Sequence, residues 1–105
     1  MIRSFALAAM LMLPLPASAA GIFITIDNRS SQMVDRVNTF PVNEAGEAVE
    51  DNLGGMGDIM PGTQGRFELA STRCELVRVY VGMADQSEME TDLDLCKARV
   101  VVVTD

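Results

Sequence analysis

Between Cys74 and Cys96 the chain alternates apolar and polar residues twice over, with a short break between the two runs. Val77, Val79 and Val81 occupy one set of alternate positions and Leu76, Arg78 and Tyr80 the other. After Ala84-Asp85-Gln86, Met89, Thr91, Leu93 and Leu95 alternate with Glu88, Glu90, Asp92 and Asp94. A period of two sends successive side chains to opposite faces of a strand, whereas a helix would scatter the same residues around its circumference. Two such runs joined by a turn predict a β-hairpin with one dry and one wet face. Cys74 opens the first strand and Cys96 closes the second, so the hairpin sets them side by side, as a disulfide requires. Closing a loop of 22 positions, that bridge contributes about 3 kcal/mol in the chain-entropy account of disulfides.

The remaining chain reads the same way. Gly21 to Asp27 alternates Ile22, Ile24 and Ile26 against Phe23, Thr25 and Asp27, and Asn28-Arg29-Ser30-Ser31 follows as turn chemistry. Met33 to Val42 reads as a second strand that ends at or near Pro41, and Gly65 to Leu69 as another, with Phe67 and Leu69 on one face. The glycine-rich stretch EDNLGGMGDIMPG (Glu50 to Gly62) reads as an excursion between sheets, closed by a Pro61-Gly62 turn. Ala98 to Val103 ends in four consecutive valines, the pattern of a strand covered on both sides or paired centrally. About six to seven short strands at this spacing predict an all-β fold, a small antiparallel β-sandwich with one disulfide.

The first twenty residues have a different character. Arg3 precedes an uncharged apolar stretch from Phe5 to Leu13, Pro14 and Pro16 interrupt it, and Ala17, Ser18, Ala19 and Ala20 supply small residues for cleavage. These are the parts of a secretory leader, and the apolar run is too short for a membrane span of about 20 residues. The expectation is a cleaved signal peptide over residues 1–20, a single domain over 21–105, and a periplasmic or secreted location without stable membrane anchoring. An oxidising compartment suits the two cysteines. Without Arg3, seven basic residues face fifteen acidic ones, a net charge of −8. Such a surface repels nucleic acid and anionic lipid, and no basic cluster with interleaved aromatics is present.

Candidate chemistry is sparse. Glu88, Glu90, Asp92 and Asp94 are carboxylates of the kind calcium prefers, but alternate strand residues spread along a line about 6.6 Å apart, whereas a calcium shell converges on one point. Strand periodicity accounts for them as a solvated face that also discourages edge pairing. Met56 and Met60, with Met33, Met83 and Met89, are thioethers of the type that holds Cu(I), or adaptable core filler. The chain has no histidine and a single lysine, Lys97. That rules out Ser-His-Asp and Cys-His arrangements and leaves a carboxylate acid/base pair, as in a small hydrolase or lyase, as the form catalysis would take. No catalytic residue and no cofactor is implied. Asn28-Arg29-Ser30 fits the N-glycosylation sequon, and equally a turn asparagine closing a strand.

Taken in order, the leader, ITIDNRSS, VEDNLGGMGDIMPG, CELVRVYVG and DLDLC resemble a family of small secreted proteins of Gram-negative bacteria, alphaproteobacteria especially. The resemblance spans the mature chain, apart from Val34 to Thr39, which lacks the more aromatic or hydrophobic run of that family. It implies an immunoglobulin-like periplasmic or secreted domain of unknown function, with no site residues to carry over. The expectation is a non-catalytic domain that binds a protein or another envelope component, with metal (copper or calcium) binding as the alternative.

Overall fold

The alternating runs form strands. The computed structural model describes residues 21–105, so the expected leader and its expected cleavage residues Ala17, Ala19 and Ala20 lie outside the described residues. Seven strands follow in chain order: β1 (Phe23–Asn28), β2 (Val34–Pro41), β3 (Gly54–Ile59), β4 (Gln64–Glu68), β5 (Leu76–Met83), β6 (Glu88–Asp94) and β7 (Val100–Val103). They make a sheet of three, ordered β4-β1-β7, and a sheet of four, ordered β3-β2-β5-β6. All neighbours are antiparallel except β1 and β7, which run parallel.

The two sheets face each other across one apolar core. Ile22, Ile24 and Ile26 meet Val77, Val79 and Val81, joined by Val34, Val37, Phe67, Leu93, Leu95, Val101 and Val103, all buried. These are the inward members of the alternations, and their burial supplies the main driving force for a chain of this size. Outward members of β5 and β6 other than Gly82 stay at least partly exposed, with Leu76 at 42%.

Two readings of the sequence are corrected. Gly54–Ile59, expected as part of an irregular excursion, is strand β3, paired with β2 from Thr39↔Gly54 to Val34↔Ile59. Its glycines are used for close approach: a β-carbon on Gly55 would collide with the Val37 carbonyl oxygen. The chain does pass between the sheets here, because β3 pairs in the larger sheet and β4 in the smaller. Gly62, with φ of 78°, turns the corner after Pro61. The second correction concerns the four valines. β7 is an edge strand, and only Val101 and Val103 are buried, while Val100 and Val102 are 51% and 43% exposed.

At the end of β1, Asn28 is fully buried and its amide is used completely. Nδ2 donates to the carbonyl oxygens of Gln32 (2.8 Å) and Ile59 (2.9 Å). Oδ1 accepts from the Ser30 N–H (3.0 Å) and hydroxyl (2.7 Å). This asparagine joins the β1–β2 turn to the end of β3, so the sequon residue acts as a turn asparagine and more. Its amide nitrogen is inaccessible in the folded chain.

Candidate functional site

The disulfide joins Cys74 and Cys96 with a Cα–Cα distance of 4.9 Å. Both cysteines are exposed and lie just beyond the ends of β5 and β6, where the Leu95 N–H donates to the Glu75 carbonyl (3.0 Å) and continues the ladder. The bridge therefore clamps two neighbours of one sheet at its end.

The outer face of the larger sheet is organised in three cross-strand rows. Arg36, Gly82 and Glu88 form the first, Asn38, Tyr80 and Glu90 the second, and Phe40, Arg78 and Asp92 the third. In the first row the Arg36 guanidinium lies over Gly82 and reaches Glu88 (3.3 Å) and Asp35 (3.6 Å). In the third, Arg78 makes a two-pronged pair with Asp92 (2.6 and 3.1 Å) and donates to the Gly46 carbonyl (3.1 Å). The hydrogen bond to Asp92 raises the pKa of Arg78 still further, and the same bond holds Asp92 below the usual carboxylate range. Asp94 sits at 4.0 Å from Lys97 and accepts from the Cys96 N–H.

In the acidic stripe Glu88, Asp92 and Asp94 thus lean to separate partners, Arg36, Arg78 and Lys97, while Glu90 forms no ion pair among the described residues. Among the described residues no three histidine, cysteine, aspartate or glutamate side chains come together as a metal cage. Met56 packs against the core beside Gly65, and Met83 and Met89 pack against it too, whereas Met60 is 55% exposed beside the Pro61 turn.

Among the described residues, two surfaces stand out as suited to contact. One is a groove of about 440 Å³ on the outer face of the larger sheet, with Arg36, Asn38, Phe40 and Tyr80 along its floor and Val49 and Glu50 in its wall. The wall is fixed from several sides. Val49 N–H donates to the Pro41 carbonyl (2.8 Å) and Leu53 N–H to the Thr39 carbonyl (2.8 Å). Asn52 Nδ2 donates to Asn38 Oδ1 (3.0 Å). Phe40 meets Tyr80 edge to face, with ring centres 5.6 Å apart.

The other surface is the outer edge of β7. Thr25 and Arg29 of the β1 side donate to the carbonyls of Arg99 (2.9 Å) and Val103 (2.8 Å). By strand alternation Val101 bonds on that side as well, and the N–H and C=O groups of Val100 and Val102 point away from the sheet. The other sheet edges carry protection of the usual kinds: β6 has its acidic row, β4 has Gln64, Arg66 and Glu68, and β3 is rich in glycine, with Asp58 at a φ of 59°. Among the described strands β7 alone presents an edge of valines.

Neither surface is evident from the sequence. The groove needs Phe40 and Tyr80, forty positions apart, brought onto adjacent strands. The open edge needs the sheet order, and the only available signal was a valine run too short and too close to Arg99 and Asp105 to lie centrally. Compared with known proteins, the chain matches no protein-family model, no curated protein and no solved structure.

Proposed function

We propose that this chain is a non-catalytic binding domain of the periplasm or the secreted fraction, exported by the leader over residues 1–20. It engages a partner protein by accepting a strand at the edge of β7. The observation that carries this reading is the uncharged, half-exposed edge formed by Val100 and Val102, with its backbone groups directed outward. Strand addition uses such an edge for main-chain hydrogen bonds and lets alternate side chains supply specificity. The Cys74–Cys96 bridge is compatible with an oxidising extracytoplasmic compartment, and the resemblance to small secreted Gram-negative proteins points the same way.

The test is native mass spectrometry of the protein taken unreduced from its own envelope extract, beside a Val102→Pro variant. Proline at 102 removes an outward N–H and leaves the ladder to β1 intact. The expected result is a second chain retained by the wild type and lost from the variant, on a subunit two hydrogens lighter than the reduced mature chain. Bare monomers from both proteins, or equal retention by both, would overturn the reading.

A further inference from the structure

We propose that the groove on the outer face of the larger sheet binds a cationic side chain, lysine or arginine, of an extended polypeptide, laid over the Tyr80 ring between Glu50 and Glu90. This site lies on the opposite sheet from β7 and stands independently of strand addition there.

The shape comes first. A groove of about 440 Å³ falls in the size range of small-ligand and side-chain pockets. It is also largely pre-formed. The edge-to-face contact with Phe40 sets the Tyr80 ring, and the wall residue Val49 is tied to Pro41 by a backbone hydrogen bond of 2.8 Å. Arg78 ties the same loop down at Gly46. A pre-formed cleft spares a ligand the entropy of ordering its own site.

The charges then select the ligand. Both arginines on this face are already engaged, Arg36 by Asp35 and Glu88, Arg78 by Asp92. Glu50 and Glu90, in contrast, form no ion pair among the described residues. Glu50 lines the groove, and Glu90 stands directly opposite Tyr80 in the β5–β6 register. The surplus charge beside the aromatic pair is therefore negative. An aromatic face flanked by unpaired carboxylates attracts a cation through the ring quadrupole and through charge-assisted hydrogen bonds. The molecule already stacks a cation this way on its other sheet, where the Arg66 guanidinium carbon lies 4.1 Å from the centre of the Phe23 ring. Arg36 is held away from that role by its position flat over Gly82, where even a β-carbon would come within 3.2 Å of the guanidinium carbon. The half-buried Tyr80 ring, which lines the groove, is left for a side chain from outside. The backbone groups of the floor strands are taken up by their own ladders on both sides, so the cationic side chain of the polypeptide, and not its backbone, makes the contact.

The experiment is an NMR titration of the disulfide-intact protein with the blocked pentapeptide acetyl-Ala-Ala-Arg-Ala-Ala-amide. Its citrulline counterpart, equal in shape and uncharged, serves as the comparison. The expected result is saturable shifts centred on the Tyr80 ring and the Glu50 and Glu90 amides, weakened by salt and absent with citrulline. Tyr80→Leu and the Glu50→Gln/Glu90→Gln pair each weaken binding roughly three- to tenfold, whereas Tyr80→Phe, which keeps the ring, retains it. Shifts spread evenly over the acidic surface and indifferent to Tyr80→Leu would overturn the proposal. So would equal binding of the citrulline peptide, or shifts at Tyr80 produced only by a neutral oligosaccharide such as chitotriose.

Discussion

Asn28 shows how one polar side chain holds several elements together. Replacing it by aspartate keeps the size but removes both amide donors, leaving the Gln32 and Ile59 carbonyls facing a carboxylate in a fully buried site. Unsatisfied buried polar groups cost about 1–3 kcal/mol each, so Asn28→Asp is expected to lower stability by about 3 kcal/mol, read from the urea midpoint at constant m-value. The turn chemistry around Asn28 was legible in the sequence. Its burial was not, because one partner lies 31 residues away. Asp85 gives a prediction in pH. Its carboxylate accepts from the Ser87 hydroxyl, from Gln32 and from the Ser87 N–H, and these bonds, the hydroxyl first, lower its pKa from 3.8 to about 2. A carboxyl with a lower pKa folded than unfolded contributes stability above its unfolded value, and loses it as pH falls through the folded one. Asp92 and Asp105 are shifted the same way, by Arg78 and by Ser31. Melting temperature should therefore decline as pH drops from about 4 to about 2, and Asp85→Asn should flatten that decline, measured by thermal scans across the range.

At the scale of elements, β3 and β7 were the least legible parts of the chain, for opposite reasons. Glycine weakens an isolated strand, so a run with three glycines reads as loop. In the fold Gly55 and Gly57 allow β3 to press against the backbone of β2, which no local preference reports. Gly55→Ala should cost about 2 kcal/mol or more, since the β-carbon meets the fixed Val37 carbonyl rather than a flexible side chain; chemical denaturation checks this. β7 has the reverse problem. Its composition is that of a buried central strand, and only the sheet order shows that one side is bare. By contrast β5 and β6 were legible almost residue by residue, because a single-sided burial pattern leaves a clean alternation.

For the whole molecule, the staple and the surface charge act together on stability and association. The 85 described residues, 21–105, bury a modest core, and net stabilities of such domains are only about 5–15 kcal/mol. Removing the bridge with Cys74→Ser is expected to cost about 3 kcal/mol, and equal melting temperatures of wild type and variant under oxidising conditions would contradict that. The pairing of Cys74 with Cys96 was legible because the hairpin alternation and the cysteine spacing agree. The contact surfaces were not, since each is assembled from strands distant in sequence. An acidic surface keeps the molecules apart while one edge stays uncharged, and the functional reading depends on that edge being open. Amide hydrogen exchange by NMR on the free protein tests this most directly. The Val100 and Val102 amides are expected to exchange orders of magnitude faster than those of Val101 and Val103, which bond to β1. Slow exchange at all four valines would show the edge of β7 already covered and would contradict it.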